Sequence, residues 1–182
     1  MRLLRRTLIA LVMGLMVGLT APGVASAAEY FLKLDGIRGE SRDREFQDAI
    51  DGISWSWGVS TPRNGRAEPQ DFSVTKAVDA ASPLLFEHVA SGRMVPTATF
   101  YVRTTGAQPH RLLTYCFTGV RVTSIQTGTA GGGEDRPQDR VTLAYETVVE
   151  AYRPQRADGS SVFPIFGGWD FIRNVRLSVS NC

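Results

Sequence analysis

The chain has 182 residues, with 20 Lys+Arg against 18 Asp+Glu and 43% hydrophobic residues. The positive surplus belongs to the first 27 residues, where Arg2, Arg5 and Arg6 stand without an acid; the remaining 155 carry 17 basic and 18 acidic groups, a net charge of −1. That balance argues against a nucleic-acid partner, which needs a basic face, and 155 residues suit one domain that buries its own core without staples.

The N-terminus reads as an export signal. Three arginines precede an apolar run from Leu8 to Leu19, and Ala25-Ser26-Ala27 forms an A-x-A cleavage site. A permanent span needs about 20 apolar residues; this run has twelve and contains Gly14 and Gly18. Arg5-Arg6 leaves both general and twin-arginine export open, and no cysteine follows the run to take a lipid anchor. Residues 1–27 are therefore expected to be a signal peptide and residues 28–182 a single domain, secreted or periplasmic and without a membrane partner once cleaved.

From Tyr30 onward the pattern is that of short strands. Tyr30, Leu32 and Leu34 alternate with Phe31, Lys33 and Asp35, as in a half-buried strand. Ile53, Trp55, Trp57 and Val59 share one face of a second. Thr61 to Gln70, with Pro62, Pro69 and Asn64-Gly65, is an exposed loop. Phe72, Val74 and Lys76 face one way in a third strand, opposite Ser73, Thr75 and Ala77. A helix follows, with Ser82 as the expected N-cap and Pro83 at its first helical position. Leu84, Leu85, His88 and Val89 form its apolar stripe, and Gly92 ends it. Thr97–Thr104 is a fourth strand. Leu113, Tyr115 and Phe117 line a fifth, whose apolar parity changes after Gly119 and so predicts a bulge or bend there. Gly128–Pro137 is a glycine-rich loop. Val141, Leu143 and Tyr145 open a sixth strand, Gly159 marks a turn, and Val175, Leu177 and Val179 alternate in a short edge strand. Many short strands with one helix predict a mainly β fold, an antiparallel barrel or sandwich.

Five segments in fixed order narrow this further. They are Leu34–Ser41 (LDGIRGES), Ile53–Gly58 (ISWSWG), Asp71–Lys76 (DFSVTK), Ala81–Leu85 (ASPLL) and Gly167–Asp170 (GGWD). Together, from about Tyr30 to Asn174, the chain resembles the Hcp family, the tube-forming proteins of type VI secretion. The resemblance implies a β-barrel of two packed sheets with a flanking helix. It also implies a structural, non-enzymatic role, homohexameric rings that stack into tubes, effector or spike proteins as further partners, and no cofactor. The export signal and the tail Val175–Cys182 depart from the family. They keep open a stand-alone secreted barrel that binds a ligand or acts as an enzyme.

The side chains present no catalytic signature: there is no G-x-S-x-G, H-E-x-x-H or P-loop. His88 lies on the helix stripe and His110 in a turn after Pro109, so both read as structural. Glu134, Asp135 and Asp139 match no calcium loop. Trp55, Trp57 and Trp169 read as core. The mixed-sign run containing Arg38, Glu40, Arg42, Asp43, Arg44 and Glu45 reads as a surface or interface loop; these residues, with Arg63 and Arg66 of the exposed loop, are the candidates for an oligomer interface. Cys116 points away from the Leu113–Phe117 face. Export and an even cysteine count favour a Cys116–Cys182 disulfide; the alternative is two free thiols.

Overall fold

A computed structural model describes residues 28–182 except 64, 107, 130–135, 157 and 180. The export signal, Asn64, Glu134 and Asp135 lie outside the described residues. Eleven strands and one helix are described: β1 (Ala28–Leu34), β2 (Ile50–Ser56), β3 (Val59–Ser60), β4 (Glu68–Pro69), β5 (Phe72–Ala77), α1 (Ala81–Ser91), β6 (Met94–Thr104), β7 (His110–Gly128), β8 (Gln138–Ala144), β9 (Thr147–Tyr152), β10 (Ile165–Asp170) and β11 (Val175–Arg176).

Every pairing is antiparallel. The order β7-β6-β1-β2-β5-β8 returns to β7, which closes a six-stranded barrel. β9, β10 and β11 branch outward from β7, and β3 pairs with β4 as a separate small hairpin. β7 makes this possible because it changes partner along one edge. Leu113–Thr118 pair with β9, while Arg121–Gly128 pair with β8. Between them Gly119 takes φ +62°, and a Cβ there would meet the Glu146 side chain at 2.5 Å. The parity change after Gly119 is thus the point where the sheet forks, within one 19-residue strand.

The barrel interior follows from period-2 alternation. Phe72 and Val74 of β5, Val141 and Leu143 of β8, and Tyr115 and Phe117 of β7 all point inward and are buried. Phe72 contacts Phe100 and Phe117 at ring-centroid distances of 4.8 and 5.0 Å, and Trp55 meets Phe100 at 5.2 Å. β1 departs from simple alternation: Phe31 faces outward yet is buried. Phe46, from the loop that follows β1, covers it at 4.3 Å and also packs on Tyr101 at 4.7 Å.

The same alternation places two charges inside. Lys76 continues the inward face of Phe72 and Val74, and its Cα partner in β8 is Asp139, which continues that of Val141 and Leu143. Both side chains are 0% exposed and pair at 3.0 Å. Lys76 Nζ also reaches Asp79 Oδ1 at 2.7 Å, and donates to Ser82 Oγ at 2.9 Å and the Ala77 carbonyl at 2.8 Å. Ser82 and Thr127 donate to Asp139 at 2.5 and 2.7 Å. Asp139 therefore sits in a buried ion pair.

This network corrects the expected helix cap. α1 has Ala80 at its N-cap position with no side-chain cap of its own. Asp79 accepts from the Ala81 N–H at 2.9 Å and Glu40 from the Ala80 N–H at 3.1 Å. Ser82 lies inside the helix, which begins at Ala81; its hydroxyl accepts from Lys76 and from the Asp79 amide at 3.1 Å and donates to Asp139, charge-assisted bonds being the stronger ones. At the other end Gly92, φ +64°, closes the helix as expected. Leu85 and His88 are buried, whereas Leu84 is exposed.

Candidate assembly surfaces

Residues 37–49 fold back on the outer face of the barrel and divide the mixed-sign run in two. Its acids point at their own chain. Asp43 takes a paired bond from Arg103, at 3.0 and 2.5 Å, and caps the amides of Glu45 and Phe46 at 2.9 and 3.1 Å. The Arg103 hydrogen bond and the two amides hold the Asp43 carboxyl down at about 2. Arg103 is raised above its ordinary value by the same bond, and it also pairs with Glu29 at 2.6 Å. Glu45 binds Arg111 and lies 3.8 Å from Arg103. Both arginines stack on aromatics: Arg103 lies 4.9 Å from the Phe31 ring centroid and Arg111 5.0 Å from that of Tyr101. Glu40 caps the approach to α1. The arginines of the run face water. Arg38 is 85% exposed and touches Asp48 only at 4.0 Å, and Arg42 and Arg44 are exposed.

The loop between β3 and β4 is also pinned to its own chain. Arg66 donates to the Phe171 and Ile172 carbonyls at 3.0 and 3.2 Å, and the Ala67 amide donates to the Asn174 side chain at 3.3 Å. Arg63 remains exposed. Of the eight charged candidates, Arg38, Arg42, Arg44 and Arg63 face outward, whereas Glu40, Asp43, Glu45 and Arg66 hold loops in place.

Apolar side chains are also exposed, a signal that the charge pattern hid; apart from Ile53, Val59 and Val78, they fall on two different parts of the fold. Leu84 and Phe86 stand on α1, with Met94 at the start of β6. Tyr152, Phe163 (91% exposed), Ile165, Ile172 and Val175 stand on and around the β9–β11 branch. Periodicity could have flagged Phe86, which falls off the helix stripe of Leu85 and His88.

The histidines serve architecture. His88 Nδ1 lies 2.9 Å from the Leu84 carbonyl. His110 is not in a turn; it opens β7, is buried, and donates from Nε2 to the Arg153 carbonyl at 2.7 Å while Nδ1 accepts from Ser161 at 3.1 Å. Among the described residues no three His, Cys, Asp or Glu groups gather to hold a metal, and no helix is long and apolar enough to cross a membrane. The sulfurs of Cys116 and Cys182 lie at bonding distance, with Cα atoms 5.7 Å apart. The tail runs along β10, with the Leu177 amide donating to the Gly168 carbonyl at 3.0 Å. A Cβ on Gly168 would crowd Leu177 at 3.2 Å, so the glycine gives the tail its bed.

The barrel has well-defined relatives. A family model described as "Type VI secretion system effector, Hcp" matches residues 31–152. Protein hcp1 of Pseudomonas aeruginosa is 34% identical over 161 residues, taking in 82% of this chain and 99% of that protein. The chain belongs to the Hcp family. A crystal structure of Hcp1 from Salmonella typhimurium superimposes with a TM-score of 0.72 at 31% identity, covering 83% of this chain and 99% of that one. Another structure, described as a type six secretion system protein, gives a TM-score of 0.79, also at 31% identity, and covers 83% and 100% of the two chains. In this Hcp protein the family segments have concrete duties. DFSVTK supplies the inward face ending in Lys76, ASPLL supplies Ser82, and GGWD supplies the bed for the tail.

Proposed function

We propose that this Hcp protein is an exported ring subunit of type VI secretion. In this reading residues 1–27 direct export, residues 28–182 close into a homohexameric ring, rings stack into a tube, and effector or spike proteins meet that tube. The observation that carries the ring is the pair of separate apolar surfaces, one on α1 and one on the β9–β11 branch. A closed ring uses a head-to-tail contact between two different patches, and contiguous exposed apolar surface marks sites of association. The outward arginines Arg38, Arg42, Arg44 and Arg63 would rim such contacts. The juxtaposed cysteines support export, since disulfides persist in oxidising compartments.

Light scattering on purified residues 28–182 tests the ring and should give about six chain masses. Phe86→Glu and Ile165→Glu, each exposed and so compatible with folding, should each yield monomer. A wild-type monomer at high concentration would remove the ring reading. N-terminal sequencing of secreted material should begin at Ala28; a start at Met1 would remove the export reading.

A further inference from the structure

A cavity of about 390 Å³ opens beside the β3–β4 loop. Its walls include Trp57, Trp169, Phe171, Ala67 and Val148, with the Glu150 carboxylate among them. The architecture that builds it is specific. Arg66 and Asn174 tie the loop to residues 171–174, so the rim is held from both sides. The Trp57 indole N–H donates to the Tyr145 hydroxyl, which donates in turn to the Gln70 carbonyl at 3.1 Å. Trp57 also packs on Tyr115 at 5.0 Å. One aromatic wall is therefore locked. The Trp169 indole N–H, by contrast, is buried without a partner, although its ring packs against the core.

The charge is the telling part. Tyr115 donates to Glu150 at a long 3.4 Å, and burial together with the Glu150 charge raises the Tyr115 phenol, which keeps it protonated. Glu150 has no cationic partner among the described residues. A carboxylate in an aromatic wall is an unusual placement, since charges bordering apolar surface are normally paired. Aromatic faces are electronegative and attract cations, more strongly where water is excluded. Two indoles, a phenylalanine and one unpaired carboxylate thus form a receptacle of one sign. A guanidinium meets all of its features. It is planar, stacks on indole, bonds a carboxylate with two N–H groups, and brings an apolar stem for Val148 and Ala67.

We infer that this cavity binds an arginine side chain presented by a protein partner, stacked on Trp57 or Trp169 and paired with Glu150. The inference is independent of ring formation. The test is a titration of residues 28–182 with acetyl-Gly-Arg-Gly-amide, read by tryptophan fluorescence, with acetyl-Gly-norleucine-Gly-amide as the neutral control. The arginine peptide should produce a saturable change that the norleucine peptide does not. Glu150→Gln, close in shape and still able to accept from Tyr115, should weaken it roughly tenfold or more, as loss of a charged hydrogen-bond partner does. Its unfolding midpoint is measured alongside to confirm the fold. Equal response to both peptides, unchanged binding by Glu150→Gln, or no saturation by the arginine peptide overturns the inference. If the arginine peptide fails to bind while Glu150→Gln dissociates an oligomer, the cavity is a contact between copies, and the partner reading falls.

Discussion

Replacing Lys76 with methionine should be among the most damaging single changes in this protein. Lys76 and Asp139 are both 0% exposed, and Asp79 completes the ion network at 2.7 Å. Methionine keeps the stem's volume but leaves Asp139 with only Ser82 and Thr127 as donors. Removing one member of a buried pair costs about 3–5 kcal/mol. A domain of this size loses about 2–4 °C of midpoint per kcal/mol, so the midpoint should drop by about 6–20 °C. The double variant Lys76→Met, Asp139→Leu removes both buried charges and should recover most of that loss, because an apolar pair of similar volume replaces an ionic one at little net cost. The pH dependence gives a second signature. Burial pushes the Asp139 carboxyl up, but the hydrogen bonds from Ser82, Thr127 and Lys76 and the lysine's charge outweigh it, so the group is held below its ordinary value. A carboxyl lowered by folding stabilises above its unfolded value, and that contribution is lost as the pH falls below about 4. In the Lys76→Met chain, burial is no longer offset by a cation, so Asp139 should rise. That variant should gain stability on mild acidification while the parent does not. Thermal melts between pH 4 and 7 read both signatures. A single variant within about 1 kcal/mol of the parent, with a parallel pH slope, would refute the reasoning.

Asp43→Asn should free residues 41–49 without unfolding the barrel, costing about 1–3 kcal/mol. Hydrogen exchange should quicken at the Glu45 and Phe46 amides and stay slow in β5 and β8; the same release should occur in the parent as the pH falls toward 2, where Asp43 protonates. Reducing Cys116–Cys182, which closes 66 residues of sequence separation, should remove up to about 4 kcal/mol in the chain-entropy account. An unfolding midpoint insensitive to reductant would count against a formed bond. Gly119→Ala should cost about 1–3 kcal/mol, since it strains a positive φ and must displace Glu146; a midpoint unchanged by the substitution would argue against the fork at that residue.

The inward face of β5 was legible because alternation is a one-dimensional signal. Phe72, Val74 and Lys76 share a parity in the sequence, and they share a face in the fold. What alternation cannot show is that Lys76 finds Asp139 in register across 63 residues; that depends on barrel closure. The same limit explains Ser82. Its spacing before Leu84 and Leu85 suits a helix cap, but the helix begins one residue earlier, at Ala81, and the hydroxyl is shared between the Asp79 amide and the long-range charges of Lys76 and Asp139. Phe31 shows the converse failure. Its parity is outward, and the return of Phe46, with Arg103 stacked on the ring, buries it. The parity change at Gly119 was visible, yet its meaning was topological, a strand that trades one neighbour for another. The cavity wall was visible as separate tryptophans that read as core. All three tryptophans are half-buried and pack against the core, but Trp57 and Trp169 also meet at one opening, because the β3–β4 loop and the segment after β10 close over it.

The placement of charge bears on how a subunit of this kind would work. A contact that must repeat around a closed ring fails if its two patches shift against each other, since small angular errors accumulate before closure. The fold spends its strongest polar interactions on internal geometry. Lys76 and Asp139 fix the start of α1 to the barrel, Arg103 and Asp43 fix the loop to the barrel wall, and Arg66 ties the β3–β4 loop to the segment between β10 and β11. Each tie lies next to an exposed candidate surface: the helix with Phe86, the loop with Arg42 and Arg44, and the branch with Ile172. Rigid mounting of outward groups follows from inward pairing of the charges behind them. Cutting a tie should therefore weaken assembly even where the exposed side chains are unchanged, and Asp43→Asn, which substitutes none of the outward arginines but loosens the loop that carries Arg42 and Arg44, is the variant that separates mounting from contact.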